Sequence, residues 1–366
     1  MERNRNGRLP WAIVLLICVL SCAIAIGSAF LINRLRSSSS FGSCQTLLLS
    51  NVGKLETVSD GFICYDGSTI SKVGDDGKNR WTNMVGAYAD FSATDAGVAA
   101  WNGKKLTLIN SSSGVTDYTG NMEAEVLSAH VGSEYAAVLL GPEHNSTIVL
   151  METGGRKVDS ITLSDQTVID YGFFYNDTLF WIMTLDTNGT APSCTVSTYR
   201  PGRRLVGSIT DSEQLLYKAI FQSTQICVAG DSHLKVFNYN GVEETDKRTL
   251  IYGWTLADAD ESSDMPLMVF TPNGQYDSAV AISDLRMLRG SSEQIVRMPY
   301  GCSKVIASGD RVYGFSSEGY AMIATMGRQK VNAYQLPVYF DQVYGVTQNN
   351  VAVLGYGSTI YLVSLT

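Results

Sequence analysis

The sequence predicts an all-β fold, a β-propeller, and a nearly duplicated segment is the main reason. Residues 61–73 recur without a gap as residues 97–109, with the turn pairs Asp66-Gly67 and Asn102-Gly103 in the same place. Asp-Gly and Asn-Gly readily adopt positive φ angles and therefore close tight β-hairpins. Weaker copies of the hairpin follow at intervals of about 40 residues, a repeat length typical of propeller blades. Beyond the N-terminal region, residues 211–221 are the one short helical candidate.

The number of blades follows from the number of hairpins. Eight hairpins can be traced, and their first strands begin near residues 62, 98, 135, 178, 225, 267, 311 and 351. In the sixth hairpin, the turn Pro272-Asn273-Gly274 separates apolar strands at residues 267–271 and 278–283. Each repeat leaves room for four short strands, which predicts an eight-bladed ring, with seven blades as the alternative. A parallel β-solenoid is the rival fold, but its repeats are shorter and more regular.

The two ends of the chain suggest how the ring closes. The last hairpin ends with the sequence at Thr366, so its blade is short of strands. Residues 45–49 form an apolar strand that precedes the first hairpin and has no partner of its own. We expect this strand to complete the last blade, because joining both ends of the chain in one sheet removes an exposed edge. The propeller domain is therefore predicted over residues 45–366.

A different kind of segment precedes the propeller. Residues 11–32 carry no charge, and as a helix these 22 residues would span about 33 Å, roughly one hydrocarbon core. We interpret them as an uncleaved transmembrane helix, or signal anchor. It follows a cytoplasmic N-terminus of residues 1–10 and precedes a tether of residues 33–44. A cleaved signal peptide is the main rival interpretation, and a lipoprotein processed at Cys22 is another.

The distribution of charge indicates on which side of the membrane the propeller lies and which classes of partner it does not bind. Three arginines precede the predicted span and two follow it, which slightly favours a cytoplasmic N-terminus and an extracytoplasmic propeller. Residues 37–366 carry 22 basic and 34 acidic side chains, a net charge of −12. This balance argues against a nucleic-acid partner or a polybasic lipid-binding patch. The five cysteines beyond the span are scattered and form no C-x-x-C pair. We therefore expect them to be buried and to pack like small hydrophobic residues.

The sequence contains no recognisable set of catalytic residues. The sequence contains no zinc-protease, Walker or G-x-S-x-G motif, and its three histidines are His130, His144 and His233. The segment Gly230-Asp231-Ser232-His233 resembles the G-D-S block of a hydrolase family, but its position between two strands indicates a hairpin turn. We therefore assign no catalytic residue.

One acidic segment has roughly the oxygen spacing of a calcium loop. It contains Asp258, Asp260, Glu261 and Asp264. A calcium loop of the EF type needs a glycine at its sharp turn and a distal bidentate glutamate, and this segment contains no glycine. We interpret it as a solvated acidic loop and assign no metal-binding residue.

A resemblance to a known family rests on the end of the first repeat. The segment Asp75-Asp76-Gly77-Lys78-Asn79-Arg80-Trp81 resembles the G-K-x-x-W close of PQQ-like (quinoprotein-type) propeller repeats. Gly114 and Tyr118 keep this spacing in the second repeat, and later repeats lack the aromatic residue. The whole layout resembles single-pass membrane-anchored PQQ-like propeller proteins of Gram-positive bacteria. The resemblance implies an eight-bladed ring. It also suggests a quinone cofactor, but we can assign neither the calcium ligands nor the stacking aromatic residues that such a cofactor needs.

We expect binding rather than catalysis. The first hypothesis is a non-catalytic scaffold, anchored in the cell membrane, that binds a protein partner in the cell envelope. The alternative hypothesis is a sensor that binds a ligand or glycan in the central funnel. The third hypothesis is a quinoprotein-like enzyme. Carboxylates and aromatics that converge in the funnel would favour a ligand, whereas a bare funnel with an apolar rim would favour a scaffold.

Overall fold

The computed structural model describes residues 42–49, 52–142, 145–175, 178–203, 205–275 and 280–365. Within them the chain forms eight four-stranded antiparallel sheets, which confirms the predicted eight-bladed propeller. The predicted transmembrane helix of residues 11–32 lies outside these residues. Among the described residues, no helix is both long enough and apolar enough to cross a membrane.

The strands are numbered in chain order. The first sixteen are β1 Cys44–Leu48, β2 Lys54–Val58, β3 Gly61–Tyr65, β4 Thr69–Gly74, β5 Asn79–Met84, β6 Asp90–Ala93, β7 Gly97–Asn102, β8 Lys105–Asn110, β9 Thr116–Asn121, β10 Val126–Val131, β11 Tyr135–Leu140, β12 Thr147–Glu152, β13 Lys157–Thr162, β14 Thr167–Phe174, β15 Leu179–Asp186 and β16 Ser193–Tyr199. The rest are β17 Leu205–Asp211, β18 Leu216–Phe221, β19 Gln225–Gly230, β20 His233–Asn238, β21 Thr249–Leu250, β22 Trp254–Asp260, β23 Leu267–Pro272, β24 Ile282–Arg289, β25 Ser292–Cys302, β26 Lys304–Ser308, β27 Arg311–Ser316, β28 Tyr320–Thr325, β29 Asn332–Gln335, β30 Gln342–Val346, β31 Val351–Tyr356 and β32 Thr359–Ser364. A short 3-10 helix, Thr245–Lys247, lies between β20 and β21.

Seven blades are each made of four consecutive strands, which we call A to D. Blade 1 is β2–β5, blade 2 is β6–β9, and the pattern continues to blade 7, which is β26–β29. The A strands of adjacent blades contact one another, so they line the centre of the ring, while the D strands lie outside. Blade 8 is composite, because β30, β31 and β32 supply strands A to C and β1 supplies strand D.

The predicted closure of the ring is therefore confirmed. β1 pairs antiparallel with β32 in a register that runs from Cys44 opposite Val363 to Leu48 opposite Thr359. Leu47 packs on a cluster shared by blades 8 and 1, which contains Leu362. The N-terminal strand thus completes the last blade and also contributes to the layer between the last blade and the first.

The hydrophobic core is divided into layers between adjacent blades. Seven such clusters combine side chains from two neighbouring sheets. Because both faces of each inner strand are covered, a strand such as β3 is buried throughout and shows no apolar–polar alternation. Four described cysteines are buried as predicted, while Cys44 is exposed. Burial raises the pKa of the Cys64 thiol to about 11.

The G-K-x-x-W spacing has a structural explanation in the docking of one blade on the next. Trp81 on β5 covers Gly114 in the C–D turn of blade 2, and its indole N–H donates to the Ser111 carbonyl at 2.9 Å. A Cβ atom on Gly114 would lie 2.4 Å from Trp81 Cγ. Tyr118 covers Gly155 of blade 3 in the same way. Each glycine therefore leaves room for the aromatic residue of the preceding blade.

Two details of the sequence prediction are wrong. Residues 211–221 are not helical: Asp211 ends β17, and Leu216–Phe221 forms β18. The sixth hairpin returns later than predicted, since its second strand is Ile282–Arg289 instead of residues 278–283. The buried run at the centre of β24 begins at Leu285, so burial decides the register rather than the apolar residues nearest the turn.

Two glycines with positive φ allow a test of the inter-blade docking. Gly114→Ala adds a methyl group against Trp81, whereas Gly103→Ala meets no atom within 4 Å. Both changes incur backbone strain of about 1–2 kcal/mol. Only the first should cost a further ~1–3 kcal/mol from overpacking. Denaturant unfolding measures the difference, and Trp81→Ala should abolish it. Equal losses in the two variants would contradict the docking.

Candidate functional site

The loops of a propeller gather at the two ends of the ring. The A–B and C–D loops lie on one face, which we call the funnel face, and the B–C and D–A loops lie on the other, which we call the rim face. The chain joins the propeller on the funnel face, because Ser364 at the end of strand C of blade 8 donates its N–H to the Ser43 carbonyl at 3.1 Å. The described chain thus starts at the same end of the ring as the A–B loops.

A cavity of about 1220 Å³ opens on the funnel face. Its wall consists of the ends of A strands and A–B loops from blades 1, 2, 6, 7 and 8. Six carboxylates line it against two cations, so the cavity is strongly acidic. The carboxylates are Glu56, Asp95, Asp258, Asp260, Glu261 and Asp310, and the cations are Lys304 and Arg311.

Four of these carboxylates are fixed by backbone groups of the neighbouring blade, and one of them is Asp95, which accepts the Ser59 N–H at 2.8 Å. Glu56 accepts the Ala93 N–H at 2.7 Å, and Asp258 accepts the Ala307 N–H at 2.8 Å. Asp260 accepts the N–H of Gly309. The channel-facing edge of each A strand has no sheet partner, and these side chains satisfy backbone donors near its end. The same contacts join blade 1 to blade 2 and blade 6 to blade 7.

A smaller cavity of about 270 Å³ lies deeper in the channel wall, between blades 5 and 6. Its lining includes Tyr217, Lys218, Asp258 and Glu261. The Lys218 ammonium pairs with the Glu261 carboxylate at 3.0 Å. Burial lowers the pKa of Lys218, but Glu261, together with Asp170 and Asp258, outweighs burial and raises it. Lys218 is therefore a permanent cation in this wall.

The two neighbouring aspartates of β22 have opposite electrostatic character. Burial raises the pKa of Asp258, and the hydrogen bond from Ala307 offsets only part of this effect. Burial also acts on Asp260, but hydrogen bonds from Ser262 and Gly309 outweigh it and lower the pKa of that carboxyl. Ionisation thus costs free energy at Asp258 and is favoured at Asp260.

Only part of the acidic segment is the solvated loop that we expected, since Glu261 and Asp264 lie in the exposed loop after β22. Asp258 and Asp260 belong to the innermost strand of blade 6 and face the channel. Alternation brings both to one side of the strand, and the ring places them against blade 7. Among the described residues, no group of three or more His, Cys, Asp or Glu side chains could hold a metal ion.

The other sequence candidates have structural roles. Ser232 lies in the turn between β19 and β20, as predicted, and its hydroxyl donates to the Gln214 side-chain carbonyl at 3.0 Å. His233 contacts the Ser232 hydroxyl through Nδ1 at 3.1 Å. His130 packs edge-on against Tyr171 at 4.8 Å between ring centres, and burial lowers its pKa. His144 lies outside the described residues.

The sequence singles out Asp258, Asp260 and Glu261, but their place in the channel was missed because their neighbours are one blade away in sequence. A positional signal does exist, since Lys54, Lys218 and Lys304 each stand seven residues before the first residue of a strand B. Strand A precedes that hairpin, so a charged residue at this distance indicates the channel wall. The identity of its partners depends on ring geometry, which a single repeat does not encode.

The large cavity does not fit the quinone cofactor that the family resemblance raises. Tyr344 is the single aromatic side chain among its lining residues, so a planar ring system would have no sandwich of aromatics. The described residues also contain no cluster suited to the calcium ion that such enzymes use. We derive no reaction step through this group.

Comparisons with known proteins establish the fold alone. No family model matches the chain, and no curated protein matches it. Among solved structures, BamB from Moraxella catarrhalis is 11% identical, with a TM-score of 0.58 over 90% of this chain and 98% of that one. The WD40 domain of SCAP from fission yeast is 10% identical, with a TM-score of 0.59 over 88% and 98%. Sqt1 from Saccharomyces cerevisiae is 10% identical, with a TM-score of 0.57 over 89% and 98%.

Substitution of the two aspartates of β22 by asparagine should change the thermal stability in opposite directions. Asp258→Asn should raise the thermal midpoint at pH 7 by about 2 °C. A raised folded pKa means that stability is lost as pH rises from about 4 through that pKa. Asp260→Asn should lower the midpoint at pH 7, because a depressed pKa contributes stability above about pH 4 that disappears as pH falls through the folded value.

Thermal unfolding at pH 7 and pH 3 checks both statements. At pH 3 the advantage of Asp258→Asn should vanish and the penalty of Asp260→Asn should shrink. Shifts of the same sign at pH 7, or shifts that do not change with pH, would contradict the assignment.

Proposed function

We propose that this chain is a non-catalytic, membrane-anchored propeller of the cell envelope that holds a basic segment of a protein partner at its acidic funnel. The observation that carries the proposal is the excess of six carboxylates over two cations around one open cavity. A cationic segment gains from such a field both in encounter rate and in specificity. The propeller fold itself is consistent with a protein-binding scaffold.

The size of the cavity favours a chain segment over a compact molecule. Pockets for small ligands usually measure about 300–1,000 Å³ and enclose most of the ligand. This cavity measures about 1220 Å³ and is open to solvent on the funnel face. Its carboxylates come from four blades, so a bound segment would cross the mouth and contact several of them.

Anchoring in the membrane is the second part of the proposal. It rests on the uncharged residues 11–32 and on the short tether that follows them. We also propose that the chain is a PQQ-like propeller, because Trp81 and Tyr118 each cover a glycine of the next blade.

A second candidate function is the binding of a small polar ligand or sugar. The smaller cavity of about 270 Å³ favours it, because Tyr217, Lys218 and Asp258 converge there. An aromatic side chain together with charged hydrogen-bonding groups suits a sugar ring. Such a ligand would contact Asp258 and Glu261, which also line the large cavity.

Site-specific photo-crosslinking in the cell's own membranes tests the proposal. A photoreactive residue replaces Asp310 at the funnel mouth or, as the control, Val242 in an outer C–D loop of the same face. We expect a protein adduct at position 310 and little at position 242. The adduct should weaken several-fold between low salt and 0.5 M salt, because exposed charges are screened.

Three outcomes would contradict the proposal. Equal labelling at both positions would indicate non-specific contact. A salt-insensitive adduct would exclude the electrostatic mechanism, and labelling of a glycan instead of a protein would favour the second candidate. Protease added to intact, wall-stripped cells should digest the propeller, and full protection would place it on the cytoplasmic side.

A further inference from the structure

An exposed apolar surface lies at the opposite end of the ring from the funnel. It consists of five side chains on the rim face, from the D–A and B–C ends of blades 7, 8, 1 and 2. Their exposed fractions are 82% for Leu48, 84% for Met84, 92% for Tyr88, 84% for Tyr339 and 56% for Tyr356. We call these five residues the tyrosine rim. None of them carries a charge, although the domain as a whole is acidic.

Hydrogen bonds connect several of the segments that carry these side chains. The loop that contains Tyr339 joins blade 8 through the Asp341 N–H, which donates to the Gly355 carbonyl at 2.9 Å. Tyr356 and Leu48 both pair with Thr359, from opposite sides. Two further bonds continue the path to blade 1, since Gly53 N–H donates to the Tyr65 carbonyl and Tyr65 O–H donates to the Gly86 carbonyl, each at 2.9 Å. Gly86 is two residues from Tyr88.

Tyr88 is held in place before any partner arrives. Its φ angle is 58°, in the left-handed region that a bulky residue adopts only with strain. The Tyr65 hydroxyl accepts the Ala89 N–H at 3.2 Å, and the Asn102 side chain donates to the Ala87 carbonyl at 2.7 Å. These bonds bracket Tyr88 and fix the loop. A strained aromatic side chain held out into solvent is typical of a binding residue.

A socket of matching size lies within the same surface. This cavity measures about 280 Å³ and lies between blades 8 and 1. Its lining is mostly polar: Lys54, Asp341 and Gln342 supply polar groups, and Val52, Tyr344, Gly53 and Gly357 complete the wall. One tyrosine side chain fits such a volume, and its hydroxyl would find hydrogen-bond acceptors there. The rim therefore carries both a projecting tyrosine and a pocket that can receive one.

We infer that the tyrosine rim is a self-association interface, in which Tyr88 of each copy enters the socket of the other. A two-fold contact requires that knob and socket lie on one patch, and this patch has both. The five side chains expose on the order of 800 Å², at about 150–250 Å² for a large aromatic residue. That area is close to the ~800 Å² per partner of a standard interface.

Charge and chain geometry favour a second copy over other occupants. Two propellers with a net charge of −12 over residues 37–366 repel each other least through a surface without net charge. The five rim side chains are uncharged, and Lys54 and Asp341 supply one charge of each sign in the socket. Ser43, near the start of the described chain, lies on the funnel face, at the opposite end of the ring from the socket. The interface is independent of the proposed partner at the funnel, because the two lie on opposite faces.

A mixed cross-linking experiment with the full chain in detergent tests the contact. In a Cys44→Ser background, chains carrying Tyr88→Cys are mixed with differently tagged chains carrying Gln342→Cys and treated with an oxidant. We expect a disulfide-linked dimer that contains both tags. The matched control replaces Tyr88→Cys with Val242→Cys on the funnel face and should give none.

A glycine substitution separates association from folding. Tyr88→Gly removes the knob but accepts φ 58° without strain, so the thermal midpoint should stay the same or rise. The dissociation constant of the dimer, from light scattering of the full chain, should rise at least tenfold. A wild-type chain that stays monomeric at tens of micromolar, or a dimer unaffected by Tyr88→Gly, would overturn the inference.

Different results would contradict the funnel proposal and the self-association proposal. Photo-crosslinking at position 310 should be unchanged in Tyr88→Gly if the funnel and the rim are distinct sites. A rim adduct to a different protein in membranes, with a monomeric purified chain, would overturn the self-association and leave the funnel proposal standing.

Discussion

The pairing of β1 with β32 is the interaction on which the ring depends. Every blade is a thin sheet that cannot cover its own two faces, and its core is formed with the blades on either side. An open ring would leave the sheets at the break with one apolar face in water. Blade 8 prevents this by taking a strand from each end of the chain. Two further bonds join it to blade 1, Asn349 to Asp75 at 2.6 Å and Gln348 N–H to the Ser59 carbonyl at 3.0 Å.

Closure also divides the functional surfaces between the two ends of the molecule. β1 starts on the funnel face and ends at Leu48 on the rim face, so the closing strand connects the two. The funnel face combines the acidic cavity with the point where the chain joins the domain. The rim face carries the uncharged tyrosines and the socket. Each surface draws on loops of several blades, and their relative positions depend on the closed ring.

The sequence predicts the parts of this structure that depend on local chemistry. Turn pairs such as Asn102-Gly103 mark hairpins, and the unpaired apolar strand at residues 45–49 reveals the closure. The register of β24 and the strand at residues 216–221 were missed, because burial against the next blade overrides the local pattern there. The funnel and the rim were missed for a related reason. Asp258 meets Ala307 across 49 residues, and Gly53 meets Tyr65 only in the folded hairpin.

Removal of the last hairpin tests the central claim most directly. The full chain and a chain that ends at Asn349 are compared by thermal unfolding and by amide hydrogen exchange in β15, Leu179–Asp186, on the far side of the ring. If closure holds the whole ring together, the truncated chain should unfold at a clearly lower temperature and lose protection in β15 as well as in its last blade. An unchanged midpoint with full protection of β15 in a monomeric truncated chain would contradict this account.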